Sequence, residues 1–393
     1  MPLHTYRRLF RTPEFAPFIV SLVLQNAATA LSGLATATLV YRQTQSPLLS
    51  ALAMFGPALA QLLGASTLLS AADRLPPKAA IIGTTIVFAI TTAIQAVPGL
   101  PTGVAFAVLF VQGIVASLAA GVRLGLLHEI LPPDGFVLGR SVTSIAASGV
   151  QILGYMLGAG LVLLLTPRAT LILGAALFAG SALVAAFLSE RAARISGSSS
   201  IGTTWRLNRR LLGSRSLLPF YLALWVPNGL IVGAESLFVS LEPQVAGVLF
   251  ACAAAGSLLG SVVVGRFLTA YQRARLGAPL RLLLAVPYLF FVFALPLPLA
   301  AVVVFAASIG FAASLVLQEQ LMERTPPEYA GHTLGLVSSG TLAMQGISAV
   351  IAGGLAQATS PTVAMTLVAA ASVAVTLALA SVIRAPAKMT PGT

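Results

Sequence analysis

From residue 329 to residue 383 the chain carries no Asp, Glu, Lys or Arg, and seven further runs share that property: 15–41, 43–72, 79–122, 141–167, 169–189, 243–265 and 282–318. A helix needs about 20 apolar residues to cross the hydrocarbon core of a bilayer, so each run holds one span or two. Three runs are too long for one span and carry a breaker near the middle. These are Val97-Pro98-Gly99-Leu100-Pro101, Pro296 with Pro298, and Ser360-Pro361. Residues 217–241 add a span interrupted by Glu235. Twelve spans result, centred near 28, 60, 88, 115, 153, 179, 229, 254, 288, 311, 344 and 372. With 58% hydrophobic and 8% charged residues, against about 25% charged in a soluble domain, the chain cannot build a water-facing surface. Backbone groups in lipid must pair within their own segment, so the expected class is an all-α membrane protein with twelve transmembrane helices.

The net charge of +12 follows from topology. With the N-terminus cytoplasmic, all but Arg42 and Arg168 of the 22 basic residues fall on cytoplasmic ends and loops, the asymmetry of the positive-inside rule. Both termini are then cytoplasmic, in a multi-pass protein of the cell membrane, and a monomer is expected. A nucleic-acid partner is not, because basic patches that bind phosphates sit on polar surfaces this chain lacks. Cys252 is alone, so no disulfide framework or thiolate metal site is expected. Lys78 and Lys388 each follow a residue other than Gly, which leaves no Walker A loop for ATP. His128-Glu129 begins like a zinc-protease HExxH, but Pro132 holds the second histidine position. No cofactor, metal or enzymatic activity is expected.

Glu190 to Arg215 is rich in Ser, Gly and Arg and reads as a cytoplasmic linker. The expected organisation is a six-helix half over 1–190, a linker over 191–215 and a second six-helix half over 216–393. An internal repeat supports this. Glu129-Ile130-Leu131-Pro132-Pro133-Asp134 recurs as Glu323-Arg324-Thr325-Pro326-Pro327-Glu328, and the same offset pairs Ser144 with Ser338, Gln151 with Gln345 and Gly160 with Gly354.

Two parallel-repeated halves of six spans resemble the major facilitator superfamily of secondary transporters. Leu39-Val40-Tyr41-Arg42-Gln43-Thr44-Gln45-Ser46-Pro47 looks like the first outer loop of its drug:proton antiporter branch, which includes macrolide and siderophore exporters. Ala72-Asp73-Arg74-Leu75-Pro76-Pro77-Lys78 is similar to the superfamily's gating loop, G-x-x-x-D-R-x-G-R-R/K, with Asp73, Arg74 and Lys78 matching. Leu69 stands for its first glycine, and Pro76-Pro77 for its later Gly-Arg. Gly154-Tyr155-Met156-Leu157-Gly158-Ala159 is similar to the G-P-x-x-G-G run of family antiporters, and Gln112-Gly113 to the end of R-x-x-Q-G, with Leu109 at the arginine position. The resemblance implies a midplane cavity lined by the first and fourth helices of each half, with the third of each triplet outside against lipid. It also implies alternating access as the two halves rock about that cavity.

Polar residues within spans usually face a bundle interior or a cavity. Gln25, Thr29, Ser32 and Thr36 form one stripe on the first span at helical spacing. Asn26 beside it, Gln112, Gln151, Tyr155 and Gln345 join it as cavity candidates. On the seventh span Tyr221, Trp225, Asn228 and Glu235 share one face. Ser and Thr at such spacings also serve tight helix packing, whereas an amide has four hydrogen-bonding positions to satisfy. Arg123 shares a face with Gln112 and reads either as a group for binding an anion or as a partner for Glu129, with pairing at the membrane edge the expected role. Glu319 reads as a solvated end-group, which leaves Glu235 as the one carboxylate well inside a span and the candidate proton-coupling group. The family's first-span acid aligns near Thr29, which cannot titrate. The expectation is proton-antiport export of a small, fairly apolar molecule. The alternatives are proton-coupled uptake by symport and a non-transporting membrane sensor.

Overall fold

The computed structural model describes residues 11–72, 75–131, 136–192, 201–326 and 329–383, and among these every regular element is helical. The chain divides into two compact units, Met1–Ser198 with Glu242–Ala251, and Ser199–Leu241 with Cys252–Thr393.

The first unit holds α1 (Phe15–Thr44), α2 (Pro47–Ala72), α3 (Pro77–Gln95), α4 (Thr102–Ile130), α5 (Phe136–Leu164) and α6 (Pro167–Ala185). Proline begins α2, α3 and α6, where its missing N–H costs no helical hydrogen bond. The Thr166 side chain also caps α6 by accepting from the Ala169 N–H. Gln45, at φ 50°, closes α1, its N–H returning to the Tyr41 carbonyl. Gly99, at φ 73°, turns the chain between α3 and α4. α1 packs against α2, α5 and α6, and α4 against α2 and α3. Phe15, Phe18, Ile81, Leu126 and Leu188 form the core at one end of this unit.

The second unit runs through α7 (Ile201–Leu212), α8 (Leu218–Glu235), α9 (Phe238–Leu241), α10 (Ala246–Phe267) from Cys252 onward, and α11 (Ala270–Ala285). A 3-10 segment, Val286–Phe293, extends α11. α12 (Leu297–Ser308) and α13 (Ala313–Glu323) are joined by a short 3-10 turn, and α14 (Ala330–Ala358) and α15 (Pro361–Ile383) follow. α8 lies between α14 and α15, close enough that a Cβ on Gly233 would strike the Ser348 backbone. Phe220, Tyr221, Leu317, Leu321 and Val337 form its core.

Eleven helices among the described residues are long and apolar enough to cross a membrane, and α5 adds the apolar stretch Ile145–Gly158. Every expected span centre falls within one of these helices, and turns interrupt the three long runs at the breakers. The expected linker is helical over Ile201–Leu212. Arg281, on α11, is 1% exposed, with its side chain turned toward α8, where Nη2 donates to the Leu224 carbonyl. α6 keeps Ile172 and Leu183 exposed on one side. It packs on α1 and α3 and joins α1 through Ser181 Oγ, which donates to the Ser21 carbonyl at 2.8 Å.

Candidate functional site

A cavity of about 430 Å³ opens within the first unit. Its wall draws on α1 to α6. Leu22, Phe55, Phe88, Leu109 and Phe178 supply apolar surface, and Gln25, Asn26, Thr29, Gln112, Gln151 and Tyr155 supply polar groups. These six are the residues expected of a cavity in the first half of the chain. Phe178 reaches it from α6, and Phe88 and Thr92 from α3, since in a unit this small the third helix of each triplet still touches the interior.

Local bonding decides what each polar group can offer. Asn26 Nδ2 donates to the Leu22 carbonyl at 2.8 Å, and Thr29 Oγ1 to the Gln25 carbonyl at 2.8 Å, so both are partly spent on their own helix. The Gln25 Oε1 atom is buried and has no partner among the described residues. Gln151 Nε2 donates to Tyr155 Oη at 3.4 Å, one turn along α5. Gln112 is a node. Its Nε2 donates to Thr91 Oγ1 at 2.8 Å and Thr92 Oγ1 at 3.2 Å, and its Oε1 accepts from Gln95 Nε2 at 3.3 Å. Gln95 Oε1 in turn accepts from Thr36 Oγ1 at 2.6 Å. This chain ties α1, α3 and α4 together, and Gln95 is the member that sequence reasoning missed. It ends the third span, where it could be taken for a solvated terminus, but it is only 3% exposed.

Arg123 also lines the cavity, 9% exposed. The expected pair with Glu129 does not form. Glu129 lies 3.6 Å from Arg191 instead, and Arg191 also reaches Glu14 at 2.6 Å. The turn of α4 beyond Arg123 points Glu129 outward, whereas Arg123 stays on the Gln112 face. None of the Arg123 guanidinium nitrogens has a hydrogen-bond partner among the described residues.

The second unit brings its candidates onto α8. Tyr221 is fully buried, with its ring 5.2 Å from Trp225, and Trp225 Nε1 donates to the Val337 carbonyl at 3.1 Å. Asn228 is buried with Oδ1 unpartnered among the described residues. Gln345 is half-buried on α14, the neighbour of α8. Glu235 ends α8, 7% exposed, and its Oε1 accepts from Tyr288 Oη at 3.1 Å. That tyrosine, fully buried in the 3-10 segment, is not identifiable as a partner from the sequence. Arg281 Nη2 donates to Ser314 Oγ at 3.1 Å and the Leu224 carbonyl at 3.4 Å. Glu319 is held by both Arg273 Nε and Nη2, at 3.1 and 3.0 Å.

Of the expected gating loop, Asp73 and Arg74 lie outside the described residues, and Lys78 is half-buried in the first turn of α3. Among the described residues no group of three His, Cys, Asp or Glu could hold a metal ion.

Comparison with solved structures gives the nucleoside transporter NupG, at TM-score 0.77 and 14% identity over 94% of this chain and 99% of that one. A POT family transporter in complex with 5-aminolevulinic acid aligns at TM-score 0.74 and 9% identity, covering 97% and 98%. The peptide transporter POT aligns at TM-score 0.73 and 12% identity, covering 94% and 93%. At these identities the likeness is one of fold. A search of curated proteins finds no match. The family model described as Major Facilitator Superfamily matches residues 15–339, and the chain belongs to that superfamily of membrane transporters.

Proposed function

We propose that this transporter exports a small, fairly apolar molecule from the cell in exchange for protons, as a member of the drug:proton antiporter branch. The observation that carries the reading is the cavity. Aromatic and aliphatic side chains make up much of its wall, and amides at fixed points give orientation, the pattern of a site for a compact amphipathic ligand. Glu235 supplies a group that can change charge, buried with one hydrogen bond among the described residues. Protonation there drives alternating access only if the proton's affinity differs between the two states. The linker and cytoplasmic termini complete the proposed topology, with Asp73, Arg74 and Lys78 forming the gating loop.

The test is accumulation of a dye and drug panel in cells with and without the protein, repeated with a proton uncoupler. Lower accumulation that the uncoupler restores is expected. Accumulation that rises with the protein overturns export in favour of uptake. In Glu235→Gln, transport is expected to lose its dependence on the pH gradient, and unchanged dependence overturns the coupling role.

A further inference from the structure

We infer that the cavity holds an anion subsite at Arg123, so that the transported molecule is an apolar organic acid, its carboxylate on this guanidinium and its body against the aromatic wall. The inference deepens the transport reading and rests on it for the cavity's role as the substrate site.

The first observation is that Arg123 is buried and unpaired. It is 9% exposed, and Nε, Nη1 and Nη2 all lack partners among the described residues. A guanidinium stays charged across the physiological range, and burying a charge without a partner is costly. Arg273 grips Glu319, and Arg191 reaches Glu14 and Glu129. Arg281, also buried, keeps two neutral acceptors, Ser314 Oγ and the Leu224 carbonyl, with Nε and Nη1 unpartnered among the described residues. Arg123 stands apart because its natural acidic neighbour on α4, Glu129, is engaged by Arg191.

The second observation is where this arginine points. It lines the cavity, and among the described residues of the wall it is the one charged side chain, with no carboxylate present. Arg123 lies eleven residues from Gln112, three helical turns along one face of α4, about 16 Å by rise. The cavity face of α4 therefore runs from an amide across Ala116 and Ala119 to a lone cation, with Phe55, Phe88 and Phe178 among the apolar lining. A planar guanidinium offers paired N–H donors that match the two oxygens of a carboxylate. A neutral ligand would leave the charge buried and unpaired, and a cationic one would be repelled.

The test uses the full chain in lipid nanodiscs and isothermal titration with two probe pairs, 2-naphthoate against 2-naphthamide and octanoate against octanamide. At least one acid is expected to bind the wild type about tenfold or more tighter than its amide, the scale of a buried charge-assisted pair. Arg123→Gln should bring acid and amide together, whereas Arg123→Lys, which keeps the charge, should retain most of the preference. Acids and amides that bind the wild type alike overturn the subsite without any variant, and so does a preference that survives in Arg123→Gln. Counterflow in proteoliposomes separates the two readings. Acid preference through Arg123 without counterflow overturns transport of these acids and leaves the subsite. Panel efflux without acid preference overturns the subsite and leaves the exporter.

Discussion

The bond from Tyr288 Oη to Glu235 joins two buried groups at 3.1 Å. Removing the donor leaves a buried carboxyl oxygen without a partner, so Tyr288→Phe is expected to cost about 1–3 kcal/mol, read as a lowered unfolding midpoint in detergent. In a Glu235→Ala background the same change should cost less, by about 0.5–3 kcal/mol for groups in contact. Equal costs in both backgrounds would mean that the contribution of the Tyr288 hydroxyl does not run through Glu235. At the start of α1, burial alone would raise the Glu14 carboxyl, but contacts with Ser189 and Arg191 and the Arg191 charge outweigh it and hold the group below its usual 4.5. The unfolded chain then binds the proton more readily than the folded one. The stabilisation is therefore present above about pH 4.5 and fades as pH falls through the lowered folded value. Wild type should melt above Glu14→Gln at neutral pH, with the two converging in acid; a constant gap rules out the carboxylate as the source. Sequence periodicity could place Glu235 inside a span and on the polar face of its helix. It could not supply Tyr288, because a partner across helices depends on packing register, which the local sequence does not encode.

Helices pack here through small residues, and the α2–α4 contact shows how tightly. A Cβ on Gly113 would collide with the Pro57 carbonyl oxygen and with Ala60, so Gly113→Ala forces the helices apart and should cost about 1–3 kcal/mol. On α3, a Cβ added to Gly83 would meet nothing within 4 Å. Gly83→Ala should be neutral or stabilise by up to about 1 kcal/mol, through helix propensity alone. Melting temperatures of the two variants check the contrast, and equal effects would remove the argument from close approach. Element ends were legible because their causes are local. Pro98-Gly99 and Ser360-Pro361 break a helix wherever it packs. The helix α7 was not, since a Ser- and Gly-rich approach masks it. Contacts hold it: Arg210 Nη1 donates to Tyr329 Oη at 3.2 Å, and Asn208 Oδ1 lies 2.6 Å from His332 Nε2.

For the molecule as a whole, the charge pattern carries the strongest topological expectation. Counting Lys and Arg by loop rests on basic side chains near a span staying at the membrane edge. Arg123 and Arg281, which enter that count, are both buried in the protein. Burial of these two leaves the expected orientation intact, because neither was needed to set the asymmetry. The orientation is open to a direct test in a Cys252→Ala background, which removes the chain's one thiol. Thr359→Cys, exposed in the turn between α14 and α15, should react with an impermeant maleimide in intact cells. Ser216→Cys, exposed just before α8, should react only after the membrane is opened. The reverse pattern would put the basic loops outside, against the membrane's preference for positive charge on the cytoplasmic face, and would reverse the end of α4 at which Arg123 stands. Labelling of both sites in intact cells would mean an even number of spans between them, and the count of twelve would fall.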